Sequence, residues 1–221
     1  MITLHHLENS QSIRILWLLE ELSLDYEIKH YQRDKKTKLA PKEYKALHPL
    51  GTAPIIEHEG KFIAETNAIV DYLMDLKPDT NLCPSKDTKE YQDYRFWLHS
   101  SQGSLMPALL ISFLFTTVKN KSPFFLKPIM AGVSSQVEKS FYGPRINNYL
   151  HFMDESLNNK TWLLGDTLSV ADIVMSYTIL VAEVRADVSK YKNLQRYISQ
   201  IRNHEIFKLA CEKSGGFSVA V

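Results

Sequence analysis

The sequence predicts a small α/β domain followed by an all-α domain, in the order β-α-β-β-β-α and then helices alone. Three observations lead there. Residues 1–76 switch between two-residue and three-to-four-residue hydrophobic spacing. Residues 77–88 hold Pro78, Pro84 and a run of turn formers with few apolar side chains, which reads as a linker. Over residues 89–221 only helical spacing recurs. The length agrees, because 221 residues make one large or two small domains at about 150 residues per domain.

Each element has its own signal. Ile2–Leu7 is a short apolar run closed by the polar turn Glu8-Asn9-Ser10-Gln11. Ile13, Ile15, Leu16, Trp17, Leu18, Leu19 and Leu22 then give a helix with a broad apolar face, and Ser12 is its expected N-cap. Tyr26–Tyr31 alternates as a strand does. A basic stretch (Arg33, Lys35, Lys36, Lys38) leads to a short helical piece at 41–47, and His48 to Pro54 is turn chemistry. Ile55–His58 and residues 62–65 straddle Glu59-Gly60-Lys61 as a hairpin. Thr66 then caps a helix carrying Ile69, Val70, Leu73 and Leu76. Past the linker, one periodicity covers 90–118 with a break near Gly103 and Pro107. A second covers 126–157 and is disturbed by Pro128 and Gly143-Pro144. Further helices are expected at 169–186, 191–202 and 205–212.

Composition narrows the function classes. Hydrophobic residues at 44%, charged residues at 23% and a net charge of +1 exclude a disordered chain. They also remove any bulk electrostatic reason to bind nucleic acid or anionic lipid. Cys83 and Cys211 stand alone, which argues against a redox dithiol or a zinc site and suits a reducing compartment. The start, Met1 to His6, lacks the basic and apolar segments of a signal peptide. The most apolar stretch, 105–118, falls short of the roughly 20 residues that span a bilayer and reads as a buried helix. A cytoplasmic protein with no membrane or nucleic-acid partner is expected. The eight histidines show no H-x-x-x-H or H-E-x-x-H arrangement, so no metal site is expected.

Four segments carry a family resemblance: Asn9-Ser10-Gln11-Ser12-Ile13-Arg14 with Leu16 to Leu22; His48 to Pro54; Glu65-Thr66-Asn67-Ala68-Ile69; and Leu168-Ser169-Val170-Ala171-Asp172-Ile173. In this order and spacing the chain resembles the cytosolic glutathione transferases over nearly its whole length. Within them it is similar to the bacterial and fungal branch whose first loop carries serine rather than tyrosine or cysteine. The resemblance implies a thioredoxin-like first domain that binds glutathione and an all-α second domain that completes the electrophile site. It further implies a homodimer, and a detoxifying addition of the glutathione thiol to small hydrophobic electrophiles. Glutathione is then a co-substrate, and no cofactor is expected.

The chemistry of each segment agrees with that reading. Ser10 lies between the first strand and the first helix, where backbone N–H groups and the helix end favour an anion. A thiol with a pKa of roughly 8.5 needs about 2.7 kcal/mol of preference for its anion to drop by two units. A hydroxyl donating to a charged sulfur supplies about 1.5–3 kcal/mol, so one serine is energetically sufficient. Read alone, Ser10 or Ser12 merely caps the helix; beside the other segments Ser10 reads as the thiolate donor, Ser12 as the cap and Asn9 as a second donor. At Ala53-Pro54 the family's proline is cis, which implies that Ala53 pairs its backbone with glutathione like an added strand. Glu65 and Thr66 offer a carboxylate for the γ-glutamyl ammonium and a helix N-terminus with a hydroxyl for its carboxylate. Ser169 and Asp172 read as a structural capping box.

Two departures from the family pattern matter. Thr52 stands where many relatives carry lysine or arginine for the glycine carboxylate of glutathione, with His48 and Lys38 as substitutes. Gln102-Gly103-Ser104-Leu105-Met106-Pro107 resembles a segment that more often begins with glutamate, and the resemblance makes Gln102, Leu105 and Met106 neighbours of the second substrate. A glutathione-dependent peroxidase or disulfide reductase using the same thiolate is the nearest alternative. A non-catalytic glutathione-binding or structural module is the other.

Overall fold

The computed structural model describes residues 1–219. Ile2–Leu7 (β1) is buried along its whole length, as expected of a strand covered on both faces. It pairs in parallel with Tyr26–Tyr31 (β2) and antiparallel with Ile55–His58 (β3), which pairs antiparallel with Lys61–Ala64 (β4). The sheet order is β2-β1-β3-β4. A parallel pair needs a crossover, and Ser12–Glu21 (α1) supplies it. Every residue from Ser12 to Leu19 is buried, because α1 packs on β1 and α3 as well as on helices of the second half. The hairpin turn is Glu59-Gly60, both at positive φ (51° and 74°), which matches the twist of the flanking strands. That two-residue turn sets His58 opposite Lys61, so β4 begins one residue earlier than the sequence suggests. It also ends earlier, since Glu65 leaves the sheet at φ 74°. Lys42–Lys45 (α2) bridges β2 and β3, and Thr66–Asp75 (α3) follows the sheet.

The second half is helical: Glu90–Ser100 (α4), Met106–Lys121 (α5), Lys127–Val137 (α6), Gly143–Ser156 (α7), Val170–Arg185 (α8), Lys192–Asn203 (α9) and Glu205–Lys213 (α10). The expected breaks near Gly103 and Gly143 are π-helical turns instead. Ser101–Leu105 joins α4 to α5, and Glu138–Tyr142 joins α6 to α7. Pro107 and Pro144 fall in the first turns of α5 and α7, where a missing N–H is tolerated. The 105–118 stretch is one-sided rather than wholly buried: Ala108, Leu109 and Ser112 are buried, while Leu110, Leu114 and Val118 are about half exposed (50%, 51% and 48%). By length and composition the continuous helix 90–121 is apolar enough to cross a membrane. Its Tyr94, Trp97, Leu98 and Leu105 are nevertheless packed into the protein core.

At the centre lies α8. Asp172, fully buried, accepts from the Ser169 N–H (3.0 Å) and hydroxyl (2.6 Å), the Leu163 N–H (2.9 Å) and the Tyr197 hydroxyl (3.0 Å). The capping box is therefore present. One apolar core, from Ile2 and Leu4 through α1 to α8 and α9, runs through both halves.

Candidate active site

Strand alternation decides where the first loop begins. Ile2, Leu4 and His6 share one face of β1, toward α1, and Thr3, His5 and Leu7 share the other. After Leu7 the chain turns through Asn9 at φ 49° and delivers Ser10 to the foot of α1. Ser10 is 3% exposed and forms part of the wall of a 530 Å³ cleft. Leu7, Gln11, Thr52, Ala53 and Tyr177 of α8 line it too, and Arg33 and Lys45 bring positive charge. The Ala53-Pro54 bond is cis, as the sequence resemblance implies. The Ser10 hydroxyl donates to the Leu7 carbonyl at 2.6 Å, lies 2.7 Å from Ser12 Oγ and accepts from the Ser12 N–H at 3.3 Å.

A second polar cluster joins three elements beside the cleft. Gln102 Nε2 donates to Gln11 Oε1 at 2.7 Å and to Thr66 Oγ1 at 3.3 Å. The Thr66 hydroxyl is 3.5 Å from Gln11 Oε1, and the Arg14 guanidinium donates to that same oxygen. Arg14 is fully buried; it also donates to the Val174 carbonyl at 2.5 Å and faces the Tyr177 ring at 5.2 Å. Burial pulls its pKa down. Since the groups that hold it are neutral, its positive field favours a negative charge in the adjoining cleft.

The structure rearranges several expected roles. Ser12 is the first helical residue rather than the N-cap, because its hydroxyl is drawn sideways to His6 Nδ1 (2.9 Å) and to Ser10. Thr66 is likewise the first residue of α3, with Glu65 in the cap position and no side-chain cap bond. Glu65 is exposed. Asn9 turns its side-chain oxygen to the Ser218 N–H (3.0 Å) and hydroxyl (3.2 Å). The His48 ring accepts from the Leu50 N–H at 3.3 Å and serves its own turn, while Lys38 sits exposed at φ 61°. Leu105 is 1% exposed and belongs to the core, so it has no surface to offer a substrate. Met106 is half-buried. Gln102 joins Thr66 and Gln11 instead of standing apart with a second substrate.

Sequence reasoning missed Gln11, Arg33, Lys45 and Tyr177. Only Gln11 carried a signal, its place beside Ser10; the others reach the cleft from distant segments. Among the described residues no group of three or more His, Cys, Asp or Glu is placed to hold a metal.

A cis-proline loop facing a serine at the foot of the first helix, on a four-stranded mixed sheet joined to a helical domain, defines a thioredoxin-like protein with an all-α partner domain. Residues 1–75 match the glutathione S-transferase N-terminal domain and residues 114–205 the C-terminal domain. Glutathione S-transferase 3 of Schizosaccharomyces pombe is 33% identical, covering 96% of this chain and 88% of its own. Glutathione S-transferase 1 of Saccharomyces cerevisiae is 30% identical, covering 97% and 95%. The crystal structure of a glutathione S-transferase from Actinobacillus pleuropneumoniae superposes with a TM-score of 0.81 at 33% identity, over 98% of this chain and 94% of that one. The chain belongs to the glutathione S-transferase family.

Proposed function

We propose that the protein adds the thiol of glutathione to small hydrophobic electrophiles, with the Ser10 hydroxyl stabilising the bound thiolate. The observation that carries this reading is the placement of Ser10 in one cleft with Ala53 and Gln11, Gln11 being bonded in turn to Thr66 at the start of α3. Glutathione extended along the Ala53 backbone brings its sulfur to Ser10 and its γ-glutamyl end to Thr66, Gln11 and Glu65. Its glycine carboxylate meets Arg33 or Lys45 in place of the lysine that Thr52 lacks. The electrophile enters beside Tyr177 and Met106. We assign the enzyme to the serine branch, to the cytoplasm and to a homodimeric state.

Turnover with glutathione against an aryl halide and an organic hydroperoxide, run in parallel, tests the reaction. Conjugation exceeding peroxide reduction supports the transferase; the reverse moves the same thiolate to peroxidase chemistry. Ser10→Ala should raise the pKa of bound glutathione by about 1–2 units and, from a parent value of about 6.5, lower conjugation at pH 6.5 by roughly five- to fiftyfold. At pH 9 the gap should narrow, because solvent then ionises the thiol unaided. An unchanged ultraviolet titration of the bound thiol would remove Ser10 from the mechanism.

A further inference from the structure

Behind Ser10 runs a buried chain of three side chains. His6 Nδ1 lies 2.9 Å from Ser12 Oγ, and Ser12 Oγ lies 2.7 Å from Ser10 Oγ. All three residues are at most 3% exposed. We propose that His6 and Ser12 are positioning residues that feed hydrogen bonds into Ser10 from behind and so leave the Ser10 proton free to point at the sulfur in the cleft. The proposal rests on the reading of Ser10 as thiolate donor.

Counting protons separates two arrangements. If neutral His6 carries its proton on Nε2, Nδ1 accepts the Ser12 proton. The Ser12 oxygen then competes for the Ser10 proton, and an N–H is stranded at Nε2, which is buried with no partner. If the proton is on Nδ1, His6 donates to Ser12, and Ser12 donates to Ser10 at 2.7 Å in preference to the Leu7 carbonyl at 3.3 Å. The Ser10 proton rests on the Leu7 carbonyl until an anion arrives, and Nε2 is a bare lone pair. Orphaned buried N–H groups are rarer than under-satisfied acceptors, so the Nδ1–H form is favoured. In that form Ser10 Oγ accepts from both the Ser12 hydroxyl and the Ser12 N–H. Accepting bonds polarises its own O–H and makes it a stronger donor.

A relay in the opposite direction, with His6 receiving the thiol proton, is disfavoured. Burial, with the neighbouring His30 ring at 5.7 Å, depresses the His6 pKa to about 4, so the imidazole is a poor resting place for a proton at neutral pH. The geometry follows from local structure. Period two puts His6 on the α1-facing side of β1, and Ser12, in the first turn of α1, is the residue that side meets.

Two measurements test the chain. Long-range proton–nitrogen NMR of the protein without glutathione should show His6 neutral at pH 7 with its proton on Nδ1; an Nε2–H signal would overturn the proposal. Ultraviolet titration of bound glutathione should then show the thiol pKa raised by about 0.5–1 unit in Ser12→Ala and in His6→Leu, which from a parent value of about 6.5 is roughly a two- to fivefold smaller thiolate fraction at pH 6.5. Calorimetric affinity for glutathione, measured at pH 5.5 where the bound thiol is protonated in parent and variants alike, should be unchanged in both. His6→Asn, whose amide nitrogen replaces Nδ1 as donor, should titrate near the parent, and Ser12→Ala added to Ser10→Ala should raise the pKa no further. If Ser10→Ala shifts the titration while Ser12→Ala leaves it in place, the chain behind Ser10 is structural and the proposal fails, with Ser10 itself upheld. If Ser10→Ala shifts nothing, the functional reading fails and takes this proposal with it. Ser12→Ala removes a single oxygen, so the test does not depend on His6→Leu folding.

Discussion

Thr66 shows how one hydroxyl changes role once its neighbours are known. It does not cap α3; it meets Gln11 and Gln102 across the junction of three elements. Thr66→Val should therefore weaken glutathione binding, by about 1.5–3 kcal/mol for a bond to a charged ligand end, read by calorimetry. Its cost to stability in urea should stay below the roughly 1 kcal/mol of a lost cap. His6 supplies a pH dependence of the opposite kind. Above pH 6.5 neither folded nor unfolded chain holds the His6 proton, so the residue adds no slope. From pH 6.5 down to about 4, the value to which burial first and His30 second depress it, only the unfolded chain takes the proton. Folding then loses ground, by about 3 kcal/mol in all. Urea midpoints from pH 7 to 4 should fall more steeply for the parent than for His6→Gln, and parallel curves would show that His6 is protonated in the native state.

At the scale of elements, the two π turns are where sequence periodicity and structure part. Glycine and proline near 103–107 and 143–144 read as helix breaks, yet each pair sits at a π turn running into a first helical turn. Gly143 is there for space: a Cβ would lie 2.6 Å from the Glu138 carbonyl oxygen. Gly143→Ala should cost about 1–3 kcal/mol, as overpacking against a rigid atom does. Gly132, inside α6 with nothing within 4 Å of its would-be Cβ, gives the control, and Gly132→Ala should stabilise by up to about 1 kcal/mol. Equal effects in urea would show that the π turn relaxes freely. The strands, by contrast, were legible nearly to the residue, because Ile2–Leu7 and Tyr26–Tyr31 are bounded by polar turns.

For the whole molecule, the aromatic segment Tyr91, Tyr94, Phe96 and Trp97 bears on assembly. Folding divides it. Tyr94 and Trp97 enter the protein's own core, while Phe96 stays 46% exposed beside the equally exposed Phe152, ring centroids 5.6 Å apart. An aromatic pair left half in water suits burial against a partner. Sedimentation at micromolar concentration should accordingly give twice the 25.5 kDa chain mass, and Phe96→Asp should shift the equilibrium toward monomer. A parent that sediments at 25.5 kDa would rule out the homodimer.

The order of elements, the helical second half and the Ser169–Asp172 box were determined by sequence alone, because periodicity, turn formers and capping act within a few residues. So were Ser10, Pro54 and Thr66 as positions of interest, each sitting at an element junction. What Ser12 and Thr66 bond to, the arrival of Arg33, Lys45 and Tyr177 in one cleft, and the meeting of Gln11 with Gln102 and Arg14 were decided only in three dimensions. The Gln102–Gln11 bond spans 91 residues and the Arg14–Val174 bond 160. No local spacing encodes such pairs; they exist because α1 is buried on every side, and the groups at its N-terminal end must find partners wherever the sheet and α8 bring them.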